Sequence, residues 1–181
     1  MDSPNKDKTR RNFIKTSTAA AAAASALPRK AKGFQGGSEE IKVGLVGCGG
    51  KGTSDIRQVL GVDDKIKLWA MGDALDRNAQ GRYKALANGG TKEKVDCKDR
   101  VFSGIDAFQK VIDSGVDIVF LVTSPGFRPV HFDYAVEQGK HVFMQKPCSV
   151  DGRGSRMLLE SNKKAKAKGL KVGVGFQRRH D

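Results

Sequence analysis

The sequence is poor in the residues on which small cross-linked proteins depend. It has three cysteines in 181 residues, Cys48, Cys97 and Cys148, which lie far apart and form no Cys-x-x-Cys pair. An odd number of widely spaced cysteines argues against a zinc cluster and against a disulfide framework, so we expect no bound metal. The sequence also lacks a run of about 18 apolar residues, so we expect no membrane-spanning segment in the mature chain.

Basic residues are abundant, but they do not form a pattern that binds nucleic acid. Lys and Arg number 33 against 20 Asp and Glu, which gives a formal net charge of +13. Residues 1–30 carry seven basic and two acidic side chains, and the rest of the excess is spread out, apart from a lysine group at 163–171. A nucleic-acid surface needs basic residues with interleaved aromatics or a reading motif, and neither is present. The remaining composition, 38% hydrophobic and 29% charged, is typical of one globular domain.

The first 26 residues have the pattern of an export signal. Residues 9–15 read TRRNFIK, and a weakly apolar run follows that contains six consecutive alanines and ends in Ala-Ser-Ala at 24–26. The paired arginines resemble the twin-arginine signal, which implies transport by the twin-arginine export machinery and a periplasmic or otherwise exported protein. The alternative is an alanine-rich helix with two chance arginines. Residues 27–40, with one proline and several glycines, indicate a linker.

From residue 41 onward, short apolar segments alternate with helical patterns. Bounded apolar runs predict strands at 41–46, 66–71, 101–102, 117–122, 141–144 and 170–175. Helical spacing and glycine stops predict helices at 52–60, 75–88, 105–113, 129–138 and 153–168. The run at 117–122 is the most continuous, as expected of a central parallel strand covered on both faces. This alternation predicts an α/β fold with a doubly wound parallel sheet, a Rossmann domain at 41–177.

A glycine-rich turn follows the first strand. Residues 47–52 read Gly-Cys-Gly-Gly-Lys-Gly, a G-x-G-x-x-G pattern in which the glycines permit a tight turn, admit a pyrophosphate and let the helix pack closely. Asp73 ends the second strand, 26 residues after Gly47, where a carboxylate accepts hydrogen bonds from the adenosine ribose. NADP remains an alternative cofactor because Arg77 can pair with a 2′-phosphate. The other alternative is a tight glycine turn that binds no ligand. We expect NAD to be bound by Gly47, Gly49, Gly50, Gly52 and Asp73.

Two further loops follow the fourth and fifth predicted strands, at the sheet edge where such folds bind ligands. The first runs from Thr123 through Pro125 to His131, and the second reads Gln145-Lys146-Pro147. A lysine held at this edge can polarise a hydroxyl or a carbonyl. Taken alone, a lysine before a turn proline is more often a plain surface residue, and a lone histidine there is more often part of a helix start.

In combination these pieces resemble the N-terminal domain of the Gfo/Idh/MocA oxidoreductases, a family named for glucose–fructose oxidoreductase and inositol dehydrogenase. The resemblance extends from residue 41 to the end of the sequence and rests on the segments 46–52, 123–131 and 135–147 together with Asp73. It implies an NAD(P)-dependent oxidoreductase that acts on a sugar, a polyol or a related compound. It also implies that Lys146 is the catalytic residue near nicotinamide and substrate, and that the cofactor site includes Thr123, Pro125, His131, Gln145 and Pro147.

The sequence departs from the family pattern at two places. Gln145 stands where the family motif Glu-Lys-Pro has glutamate, so a negative charge beside Lys146 is lost. The family continues into an α+β substrate domain, which we expect to begin at residues 178–181 and to be otherwise absent. Three alternatives follow: an exported dehydrogenase, an NAD-dependent glycoside hydrolase of the same family, and a nucleotide-binding module without catalysis. The resemblance also allows a homo-oligomer.

Overall fold

The computed structural model describes residues 40–179. The predicted signal at 1–26 and all but the last residue of the predicted linker lie outside these residues. Six strands alternate with five helices in the described part. The strands are β1 (Ile41–Val46), β2 (Ile66–Asp73), β3 (Val101–Ser103), β4 (Ile118–Leu121), β5 (His141–Gln145) and β6 (Val172–Gly175). The helices are α1 (Gly50–Leu60), α2 (Asp76–Ala87), α3 (Ala107–Asp113), α4 (Arg128–Glu137) and α5 (Gly152–Ala167), with short 3-10 turns at Lys92–Lys94 and Gln177–Arg179.

The six strands form one parallel sheet in the order β3-β2-β1-β4-β5-β6. From β1 the chain continues outward through β2 and β3, returns to β4 beside β1, and continues outward again to β6. This topology confirms the doubly wound α/β fold. The order reverses between β1 and β4, and ligands of such sheets bind in the crevice at that reversal. β4 is the central strand that the sequence predicted, and three of its four residues are buried.

Two groups of buried side chains cover the two faces of the sheet. In β4, Val119 and Leu121 belong to one group and Phe120 to the other, because successive strand residues point to opposite faces. The first group includes side chains of α3, α4 and α5, and the second includes side chains of α1 and α2. Cys48 and Cys97 lie in the second group and are fully buried. Among residues 40–179, no helix is long and apolar enough to cross a membrane.

Several predicted boundaries are corrected by local hydrogen bonding. α1 begins at Gly50 and not at residue 52, because the Thr53 N–H already donates to the Gly49 carbonyl (3.0 Å). α2 begins at Asp76 and not at residue 75, because Leu75 has an extended backbone and caps the helix; its side chain is 48% exposed. β6 begins at Val172 and not at residue 170, because the Leu170 N–H donates back to the end of α5.

Candidate functional site

The glycine loop between β1 and α1 is packed against backbone on two sides. Gly47 has a φ of +97°, and a Cβ there would lie 2.6 Å from backbone atoms of Val122 and Thr123. A Cβ on Gly52 would lie 2.0 Å from the carbonyl oxygen of Gly47. No larger residue fits either position without moving the backbone. Gly47 and Gly52 therefore bring the start of α1 close to the ends of β1 and β4.

Gly49 and Gly50 differ from these two because they face open space. Apart from the adjacent residues and the helix's own backbone, no atom of the described residues lies within 4 Å of a Cβ built on either glycine. They form the N-cap and the first residue of α1, where backbone N–H groups lack partners within the helix and the helix dipole favours negative charge. The first turn of α1 carries no acidic side chain. This end of the helix fits the pyrophosphate of a dinucleotide.

Asp73 ends β2, the strand next to β1, and is held by three hydrogen bonds. Its Oδ2 accepts from the backbone N–H of Cys48 (2.7 Å). Its Oδ1 accepts from the backbone N–H of Leu75 (2.9 Å) and from the side-chain amide of Asn78 (3.3 Å). The carboxylate is therefore oriented by the glycine loop and the start of α2, and its remaining lone pairs are free to accept from hydroxyl groups. Arg77, which left NADP open, is exposed on α2.

A cavity of about 490 Å³ lies at the carboxyl ends of β1, β2 and β4, within the range of small-molecule sites. Part of its rim is apolar and exposed, and consists of Leu75, Ile105, Phe127 and Val130. Gly50 and Gly52 lie beside it in the first turn of α1, and Pro125 lies in the turn before α4. Of the predicted cofactor residues, the cavity brings together Gly47, Gly49, Asp73, Thr123 and His131.

His131 contributes a buried aromatic ring to the wall of this cavity. The ring stacks on Phe108, with 4.1 Å between the ring centroids, and is nearly parallel to the ring of Phe127, with 6.2 Å between the centroids. A hydrogen bond joins His131 Nδ1 and Thr123 Oγ1 (3.2 Å). Burial lowers the pKa of His131 to about 4, so the ring is neutral at pH 7. This environment suits a wall residue better than a group that exchanges protons.

Lys146 lies outside this cavity. It is exposed at the end of β5 and lines a second concavity, of about 390 Å³, with Phe176, Gln177 and Arg178. The peptide bond that joins it to Pro147 is cis. The predicted catalytic lysine therefore lies next to the residues that follow β6 and does not line the cavity of the glycine loop. Across the described residues, no group of three or more His, Cys, Asp or Glu side chains is arranged to hold a metal ion.

A buried arginine that the sequence analysis did not identify joins the loops after β4 and β5. Arg128 begins α4 and is 5% exposed. Its Nη1 donates to the carbonyl oxygen of Gln145 (2.5 Å) and to the carbonyl oxygen of Pro147. Because these carbonyls stand on either side of Lys146, Arg128 holds the backbone around the lysine. An arginine at a predicted helix start gives no sequence signal of burial.

Gln145 is directed toward α1 and contacts a second residue that the sequence did not single out. Its side-chain amide donates to Asp55 Oδ2 (2.7 Å), and both residues are buried. Asp55 Oδ1 accepts from Lys51 Nζ (2.5 Å) in the same helix. The residue before Lys146 is thus an amide that faces a carboxylate of the glycine-loop helix. The two partners are 90 residues apart in sequence, which explains why no local pattern indicated the contact.

Comparisons with known proteins identify the family of this domain. Residues 41–176 match the Gfo/Idh/MocA family, described as an oxidoreductase family with an NAD-binding Rossmann fold. The inositol 2-dehydrogenase of Klebsiella pneumoniae (strain 342) is 31% identical over 144 residues, which cover 78% of this chain and 38% of that protein. The inositol 2-dehydrogenase of Paracoccus denitrificans (strain Pd 1222) is 30% identical with the same coverage.

A solved structure with a bound cofactor shares the fold. It is the scyllo-inositol dehydrogenase from Lactobacillus casei with bound cofactor NAD(H) and scyllo-inositol, and it matches with a TM-score of 0.63 and 25% identity over 79% of this chain and 38% of that one. The chain therefore spans about 38% of the length of these relatives. Since the family match covers most of the chain and includes the whole parallel sheet, this chain belongs to the Gfo/Idh/MocA oxidoreductase family and carries its NAD-binding Rossmann domain.

Proposed function

We propose that the protein is an NAD-dependent oxidoreductase that acts on a polyol of the inositol type. The observation that carries the proposal is the crevice at the end of β1, where Gly49 and Gly50 face open space and the carboxylate of Asp73 is fixed by the backbone of the same glycine loop. The substrate class rests on relatives that are inositol 2-dehydrogenases. Because the chain spans about 38% of their length, the proposal concerns the whole protein.

Each part of the crevice matches one part of a dinucleotide. NAD, when bound, supplies a hydride acceptor at its nicotinamide ring. The N–H groups at the start of α1 would hold the pyrophosphate, and Asp73 would accept hydrogen bonds from the ribose hydroxyls. The neutral ring of His131 would form part of the wall of the crevice. Lys146, at the end of β5, would bind the substrate oxygen and hold or take a proton at Nζ.

The choice of NAD over NADP is proposed to depend on the charge of Asp73. A 2′-phosphate would face this carboxylate, and like charges at short range repel. We expect Asp73→Ser to weaken NAD binding and to raise the affinity for NADP relative to NAD in calorimetric titrations. The matched control is Asp76→Ser, because Asp76 is an exposed carboxylate in the first turn of α2. An unchanged NAD-to-NADP ratio in Asp73→Ser would contradict the assignment.

Formation of NADH tests the substrate class. The protein is mixed with NAD and with myo-inositol or scyllo-inositol, and NADH absorbance is followed. We expect NADH to form, Lys146→Ala to abolish its formation, and Lys110→Ala, an exposed lysine of α3, to leave the rate unchanged. Binding of NAD without NADH formation from any polyol would favour a nucleotide-binding module. Cleavage of a glycoside without net NADH would favour the glycoside hydrolase.

We also propose export to the periplasm through the twin-arginine pathway. The proposal rests on the sequence of residues 9–26, which lie outside the described part of the chain. The intact mass of the protein in the exported fraction is expected to show removal of residues 1–26. Replacement of Arg10 and Arg11 by lysine is expected to keep the protein inside the cell, whereas Lys8→Arg serves as the control and leaves export unchanged. Export of the double lysine variant at the normal level would overturn this proposal.

A further inference from the structure

We propose that Asp55 is a positioning residue for Lys146. The Asp55 carboxylate on α1 holds the side chain of Gln145. It thereby fixes the backbone at the end of β5, next to Lys146. The same contact makes an amide, and not a carboxylate, the required side chain at position 145. This inference rests on the role proposed above for Lys146.

Asp55 is buried with both carboxylate oxygens in use. The residue is 7% exposed. Oδ1 accepts from Lys51 Nζ at 2.5 Å, and Oδ2 accepts from the Gln145 amide at 2.7 Å. A buried carboxylate needs a charge partner and hydrogen-bond donors to stay ionised without a large desolvation penalty. Lys51 supplies the charge from the exposed side of α1, and Gln145 supplies the donor from the sheet.

Gln145 is held by three elements at once. Its side chain contacts α1 through Asp55, and its carbonyl oxygen accepts from Arg128 of α4. In the sheet it pairs with Gly175 of β6, where a Cβ would lie 2.9 Å from the Gln145 amide atoms. Gly175 therefore leaves the space that the glutamine side chain fills. Since Arg128 also binds the carbonyl after Lys146, the lysine stands between two anchored residues.

The charge balance explains why residue 145 is an amide. A glutamate there would place a second carboxylate within hydrogen-bond distance of Asp55, and two such groups do not both ionise readily. Among residues 40–179, the charged groups that hydrogen-bond to the pair are Lys51 on α1 and Arg128 on α4, and the residue of β6 that pairs with Gln145 is Gly175. Arg128 already donates to backbone carbonyls, so one lysine would face two carboxylates. With glutamine, one lysine balances one carboxylate.

Variants that exchange the carboxylate and the amide between positions 55 and 145 test the charge argument. The measurements use the whole chain. We expect Gln145→Glu to lower the midpoint of thermal unfolding by about 5 °C. The double variant Asp55→Asn with Gln145→Glu restores one amide and one carboxylate in contact, and we expect it to recover the midpoint. Equal losses in the single and double variants overturn the proposal. If Gln145→Glu does not fold, a folded double variant supports the proposal and an unfolded one overturns it.

The backbone amide resonance of Lys146 tests the positioning role. In protein carrying isotope-labelled lysine, this resonance is assigned by its loss in Lys146→Arg. We expect Asp55→Ala to shift it and Asp55→Asn, which retains a hydrogen-bond acceptor, to shift it less. The control is Asp133→Ala, because Asp133 is an α4 carboxylate with comparable partners, Ser161 and Lys164 on α5. An unmoved resonance in Asp55→Ala overturns the proposal. Neither measurement uses NAD or a polyol, so a failure of the proposed function is detected separately.

Discussion

Burial of His131 predicts a pH dependence of stability that one substitution removes. The ring is 7% exposed and stacks on Phe108, and its hydrogen-bond partner is the neutral hydroxyl of Thr123. Burial lowers its pKa to about 4, whereas an unfolded histidine titrates near 6.5. The folded state therefore disfavours the protonated ring.

The sign and size of the effect follow from these two values. Between pH 6.5 and pH 4 the unfolded chain binds a proton at this residue and the folded chain does not. The stability that the neutral ring contributes is thus present at pH 7 and is lost as the pH falls through this window. With a folded pKa of about 4, the loss from His131 is about 2 kcal/mol at pH 5 and about 3 kcal/mol at pH 4.

Denaturant unfolding of the wild-type chain and of His131→Asn checks this prediction. We compare the free energy of unfolding of the wild type with that of His131→Asn. The excess of the wild type over the variant is expected to be about 2 kcal/mol smaller at pH 5 than at pH 7. Phe108→Ala uncovers the ring, so this variant should show a smaller pH dependence than the wild type. A difference between wild type and His131→Asn that stays constant from pH 7 to pH 5 would refute the assignment of a buried neutral ring.

Three further substitutions separate ligand binding from packing. Gly49→Val adds a side chain in open space. We expect the NAD affinity to fall by about tenfold or more and the unfolding midpoint to stay unchanged. An NAD affinity equal to that of the wild type would argue against pyrophosphate binding at Gly49. Gly52→Ala places a Cβ against the Gly47 carbonyl and should lower the midpoint by several degrees, and a wild-type midpoint would contradict the close packing. Arg128→Ala removes the donor of two carbonyls and should lower the free energy of unfolding by about 3 kcal/mol in denaturant titrations, with partial recovery in Arg128→Lys. A loss below about 0.5 kcal/mol, typical of surface positions, would rule out that role.

The parts of the fold that local sequence patterns determine were predictable. Residues 118–122 of the predicted strand are continuously apolar because β4 is covered on both faces, and this strand lies at the centre of the sheet as predicted. The glycine spacing at 47–52 correctly indicated a turn between strand and helix, because Gly47 and Gly52 meet backbone where any side chain would collide. Boundaries shifted by one or two residues where turn hydrogen bonds extended or ended an element, as at the start of α1.

The parts of the site that depend on long-range packing were not predictable. The contact of Asp55 with Gln145 joins α1 to β5 across 90 residues, and the buried Arg128 of α4 donates to the carbonyls of Gln145 and Pro147 on either side of Lys146. Nothing in the spacing of the glycine and lysine motifs showed that Lys146 lies outside the cavity of the glycine loop. The predicted roles of the cofactor residues and of Lys146 stay predictions that the experiments above address.

Thermal unfolding of the whole chain with and without NAD tests the central claim most directly. A ligand at about 100 times its dissociation constant stabilises the folded state by about 2.7 kcal/mol, which corresponds to a rise of about 5–10 °C in the midpoint for a chain of this size. The structure predicts this rise for the wild type and a much smaller one for Asp73→Ala, which lacks the carboxylate that faces the glycine loop. A midpoint that does not change at millimolar NAD would contradict the assignment of the crevice between β1 and β4 as the NAD site.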